Sequence, residues 1–93
     1  MADINIVQNH NLTPERARAA AQEVADKIAR EYGLACNWDG DVLRFERSGV
    51  NGALTLSGQQ AAMEINLGFL MGAFAPSIRA KVAEKMQRVF ATA

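Results

Sequence analysis

The sequence predicts an α+β fold: a two-layer domain with an antiparallel meander sheet, two helices on one of its faces, and the order β-α-β-β-β-β-α. Three observations predict it. Residues 14–32 carry a 3.6-residue apolar period between a Thr-Pro start and a glycine stop. Residues 34–67 alternate with period two and are interrupted by three glycine-bearing turns. Residues 76–91 return to the helical period. Amphipathic helices must bury their stripes against something, and one face of an antiparallel sheet is the partner available. At 93 residues the chain, 1–93, reads as a single domain.

Each element has its own local reason. In residues 3–9 the alternation of Ile4 and Ile6 with polar neighbours marks a short strand. Thr13 offers a side-chain oxygen to the free N–H groups of the next turn, Pro14 suits the first helical position, and Glu15 complements the helix dipole. The helix they open predicts a stop at Gly33, whose missing Cβ permits a left-handed cap. Its apolar stripe is Ala17, Ala21, Val24 and Ile28, flanked by Ala20 and Ala25. Alanines keep that stripe flat, so it can lie close on a sheet.

The meander follows from turn chemistry. Asp39-Gly40, read as a two-residue hairpin turn, pairs Trp38 with Asp41, Cys36 with Leu43 and Leu34 with Phe45. Asn51-Gly52 pairs Gly49 with Leu54 and Arg47 with Leu56. Gly58-Gln59 pairs Leu56 with Ala61 and Leu54 with Met63. One face then collects Leu34, Cys36, Trp38, Leu43, Phe45, Leu54, Leu56, Met63, Ile65 and Leu67. The other collects Asn37, Arg44, Glu46, Ser48, Thr55, Ser57, Glu64 and Asn66. After an uncharged stretch over 68–75, Pro76 falls in the first turn of a last helix with the stripe Ile78, Val82, Met86, Val89 and Phe90.

Composition excludes several classes. With 49% apolar and 22% charged residues the chain is not of the disordered kind. Ten basic residues balance ten acidic ones, so the basic excess of a general nucleic-acid binder is missing and no nucleic acid is expected as partner. No apolar run reaches the length of a transmembrane helix, and the opening Met1-Ala2-Asp3-Ile4-Asn5 does not read as a signal peptide. One cysteine, Cys36, cannot close an internal disulfide. A core this small would be helped by a second subunit, which leaves a homodimer open.

The chemistry-bearing residues are few. His10 is the one histidine and has no second histidine or cysteine pair to share a metal with. Cys36 falls on the covered face, where a thiol behaves as a small hydrophobe. Asp39 and Asp41 flank a glycine, and turn chemistry accounts for both. No nucleophile–base pair and no acid–base pair stands out, so no enzyme, no catalytic residue, no metal and no cofactor are expected. Arg47 is the one charged residue on the covered face. It reads as a rim residue with its stem on the core, and as a candidate anion contact. The segment Leu67–Phe74 is the most unusual. Alternation sends Phe69 and Met71 toward the core with Ile65 and Leu67, and leaves Leu70 and Phe74 as candidate contacts for a partner or a hydrophobic surface.

Three blocks carry a resemblance that spans nearly the whole chain. They are Ala2-Asp3-Ile4-Asn5-Ile6 with Asn9-His10, then Leu43-Arg44-Phe45-Glu46-Arg47-Ser48-Gly49-Val50-Asn51-Gly52, then Leu67-Gly68-Phe69-Leu70-Met71-Gly72-Ala73-Phe74. In this order they resemble the small bacterial family of polyhydroxyalkanoic acid system proteins. The resemblance implies a cytoplasmic protein associated with polyhydroxyalkanoate metabolism or with the storage-granule surface, and it brings no catalytic motif. The expected function is a non-enzymatic accessory protein that binds a granule surface or a granule protein through its apolar segment. The alternative is a carrier of a small hydrophobic ligand, a hydroxyacyl group, gripped between helix and sheet. A large internal apolar cavity would favour the carrier, and a filled core with an exposed apolar segment would favour the surface binder.

Overall fold

A computed structural model of the chain describes residues 3–68 and 72–92. Its elements are β1 (Ile4–Asn9), α1 (Pro14–Tyr32), β2 (Ala35–Asp39), β3 (Val42–Arg47), β4 (Val50–Ser57), β5 (Gln60–Leu67), a single 3₁₀ turn (Gly72–Phe74) and α2 (Ala75–Thr92). The five strands form one antiparallel sheet in the order β1-β5-β4-β3-β2. The α+β order read from the sequence is the order observed. β1, which precedes α1 in the chain, adds to the outer side of β5 and pairs Ile4 with Ile65 and Ile6 with Met63.

α1 begins and ends for the reasons its sequence contains. Thr13 Oγ1 accepts the Arg16 amide at 3.3 Å, Pro14 occupies the first turn, and Gly33 caps the end at φ 69°. All six residues of the expected stripe, Ala17, Ala20, Ala21, Val24, Ala25 and Ile28, are buried. α2 likewise buries Ile78, Val82, Met86, Val89 and Phe90. From the sheet the core takes Ile4, Leu43, Phe45, Val50, Leu54, Ala61, Met63 and Ile65. Both helices therefore lie on one face of the sheet, and the other face meets solvent.

Two of the three expected turns sit elsewhere. The first turn is Gly40-Asp41, not Asp39-Gly40: Asp39 pairs with Val42, Trp38 with Leu43 and Cys36 with Phe45. Gly40 takes φ 62° at the first central position, which a type II′ turn reserves for glycine. The second turn is Ser48-Gly49, not Asn51-Gly52: Arg47 pairs with Val50, Phe45 with Gly52 and Leu43 with Leu54. Gly49 has φ 84°. Gly52 is instead inside β4 beneath the Phe45 ring, where an added Cβ would lie 2.6 Å from Phe45 Cε2 and against the Glu64 carbonyl. That glycine serves close approach and not reversal. The third turn, Gly58-Gln59, is as expected, with Ser57 on Gln60 and Leu54 on Met63.

The two corrections shift pairing by two and by six residues. Both shifts are even, so every side chain keeps its face. Leu43, Phe45, Leu54, Met63 and Ile65 are buried, and Leu34, Cys36, Trp38, Leu56 and Leu67 pack half-buried around them. Val50, assigned to neither face by the expected register, is a core residue at the start of β4.

Candidate functional site

The sheet has two ends, and the helices run antiparallel along it. At one end lie the start of α1, the Gly40-Asp41 turn and the end of β1. The Arg18 guanidinium stacks over the Trp38 ring at 3.9 Å and donates to the Gly40 carbonyl at 3.0 Å. Trp38 Nε1 donates to Gln22 Oε1 at 2.7 Å. His10 is buried and stacked on Phe90, with centroids 5.4 Å apart. Its Nδ1 accepts the Leu12 amide at 3.1 Å, and its Nε2 is buried without a hydrogen-bond partner. This end is closed by side chains lying on side chains.

The other end gathers the C-terminus of α1, the Ser48-Gly49 turn, the end of β5 and the start of α2. The backbone here is tied by three bonds. The Gly68 amide donates to Gly49 O at 2.6 Å, the Gly72 amide donates to Gly68 O at 3.1 Å, and the Leu67 amide donates to Asp3 Oδ2 at 2.7 Å. Between the elements runs an apolar crevice lined by Tyr32, Leu34, Val50, Leu67 and Ile78, with Arg47 beside it. Its volume is about 20 Å³, room for about one water molecule.

Phe74 stands at this end, in the 3₁₀ turn, and is 56% exposed. Among the described residues it is one of two large apolar side chains so exposed, the other being Val7 on β1. Leu70, its companion in the sequence-based expectation, lies outside the described residues, as do Phe69 and Met71.

Arg47 faces Val50 across the strand pair and not Leu56. Its Nη1 donates to the Tyr32 carbonyl at 2.6 Å. That oxygen belongs to the last turn of α1, whose carbonyls have no intrahelical partner, so the guanidinium caps the helix and meets its negative end. No signal within β3 pointed to this bond, because its partner is 15 residues away. Nearby, Glu31 joins the helices by accepting from Lys81 at 3.2 Å and pairing with Lys85 at 3.1 Å. These contacts, Lys85 first and Lys81 second, hold the Glu31 carboxyl below its ordinary range, and Glu31 in turn raises Lys81.

Cys36 is half-buried on β2. Burial, and then the Asp26 carboxylate, push its thiol up, away from the thiolate that reacts. Among the described residues no group of three or more His, Cys, Asp or Glu is placed to share a metal ion, and no helix is long and apolar enough to cross a membrane. The arrangement can present an apolar surface and flanking cations. His10 lies in the loop after β1, stacked on Phe90, and Cys36 lies on β2.

One family model matches residues 4–90, almost the full chain; it carries the description "putative polyhydroxyalkanoic acid system protein". No curated protein and no solved structure matches.

Proposed function

The chain belongs to the polyhydroxyalkanoic acid system protein family, and on that footing we propose that it is a non-enzymatic accessory protein that attaches to the granule surface, or to a protein on it, through the end of the fold around Phe74. The observation that carries the proposal is the contrast between that exposed phenyl ring and the filled core behind it. An aromatic ring left in water on an uncharged segment gains free energy when a hydrophobic surface covers it. The carrier alternative is less favoured. Ligand pockets hold roughly 300–1,000 Å³, and the apolar crevice between the helices and the sheet has about 20 Å³. Against catalysis stand the engaged Nδ1 of His10 and the raised thiol of Cys36.

The test is fractionation of granule-producing cells carrying either the parent chain or Phe74→Ser. The parent is expected to travel with the polymer, and the variant to shift largely to the soluble fraction with an unchanged melting curve. A parent chain found only in the soluble fraction defeats the attachment reading. A folded variant that sediments like the parent moves the contact away from Phe74.

A further inference from the structure

The formal charge of the chain is zero, but the charge is sorted by layer. α2 carries four cations, Arg79, Lys81, Lys85 and Arg88, against one carboxylate, Glu84. The solvent face of the sheet carries three exposed carboxylates, Asp39, Glu46 and Glu64, against one cation, Arg44. α1 is balanced. Glu31 and Glu84 sit within reach of three α2 cations and still leave a surplus of two. The Arg88–Glu84 pair is largely exposed, and exposed pairs are weak enough to exchange partners, whereas Lys85 and Glu31 are only partly exposed.

The cations also have an anchor. Lys81, Lys85 and Arg88 are spaced by four and three residues, one line along α2, and Phe74 sits in the 3₁₀ turn that leads into that helix. Arg79 stands on the other flank, exposed and without an ion-pair partner among the described residues. An apolar ring at the tip of a cation-lined helix fits a surface that is apolar inside and negative outside. The acidic sheet face, on the far side of the domain, would be repelled by the same surface.

We propose that α2, with Phe74 at its leading end, docks onto an interface of acidic phospholipid headgroups, with the sheet's solvent face turned away. The proposal rests on the reading of Phe74 as a contact residue and adds the chemistry of what it meets.

Co-sedimentation with vesicles tests it. The probes are vesicles of phosphatidylglycerol mixed with phosphatidylcholine, and vesicles of phosphatidylcholine alone. The parent chain is expected on the acidic vesicles only, with binding that falls as salt rises. Each cation near such a surface contributes roughly a fivefold gain in partition, so Lys81→Gln with Arg88→Gln should lower binding by about tenfold or more. Arg79→Gln, which breaks no ion pair among the described residues, should lower it by about fivefold and serves if the double variant melts early. Arg44→Gln removes the same charge from the opposite face and should stay within about twofold of the parent. Equal loss from Arg44→Gln and Arg79→Gln would overturn the orientation. No binding to acidic vesicles would overturn the inference altogether. If the parent nevertheless travels with the polymer in cells and Phe74→Ser does not, attachment through Phe74 stands and only the phospholipid partner is lost.

Discussion

At one end of the sheet Phe90 lies on His10 and Arg18 lies on Trp38. At the other, Phe74 stands more than half in solvent and Arg47 lies beside an apolar crevice. Both ends are built from a helix terminus, a hairpin turn and a strand end, so the parts are alike. The difference is what the aromatic residues do. Phe90 is 2% exposed and part of the core, whereas Phe74 is 56% exposed. One end spends its aromatic rings on stability, and the other leaves one available for binding.

Substitutions can break that contrast. Phe90→Ala should destabilise by about 3–5 kcal/mol, since a fully packed ring leaves a cavity. It should also loosen His10, visible as faster amide exchange at Leu12. Gly52→Ala comes next, at roughly 1–3 kcal/mol, because the new methyl meets both the Phe45 ring and the backbone of β5. A Gly52→Ala melt equal to the parent's would show that both the Phe45 ring and the β5 backbone can give way. Phe74→Ala should change stability by about 0.5 kcal/mol or less, and a loss rivalling that of Phe90→Ala would erase the distinction between the ends. The smallest effect concerns pH. Glu31 has its folded carboxyl held below its unfolded value, so its ion pairs support the fold at neutral pH and are lost as pH falls through and below the ordinary carboxylate range. Glu31→Gln should therefore lower stability slightly at neutral pH, leave it nearly unchanged in acid where the parent carboxyl is already protonated, and so flatten the acid limb of the stability curve, which denaturant melts across pH would show.

The same contrast explains what could be read from the residues in advance. Period and parity are robust, because an even slip preserves the faces of a sheet. Leu43, Phe45, Leu54 and Met63 therefore fall in the core although two turns were misplaced. Turn positions are fragile. Asn51-Gly52 has the composition of a hairpin turn, but Gly52 is needed where the Phe45 ring crosses β4, and Ser48-Gly49 turns the chain instead. The closed end was invisible for a different reason. The Arg18–Trp38 and His10–Phe90 contacts join residues 20 and 80 positions apart, and no short-range pattern encodes such pairs. Phe74 is exposed as expected, but not through alternation, since β5 ends at Leu67 and Phe74 lies in a 3₁₀ turn.

The place of β1 has a kinetic consequence. β2, β3, β4 and β5 pair with their neighbours in sequence, so hairpins can form early and locally. β1 pairs with residues at least 51 positions further on, from Asn9 with Gln60 to Ile4 with Ile65. The strand made first at synthesis must wait for the strand made fifth, and closing that long loop costs entropy before any contact rewards it. Ile4, 1% exposed, is thus a core residue whose packing is expected after the rate-limiting step. In a stopped-flow chevron, Ile4→Val should mainly quicken unfolding, while Leu54→Ala, inside the local meander, should mainly slow folding. The opposite assignment would mean that the chain closes end to end before its hairpins mature.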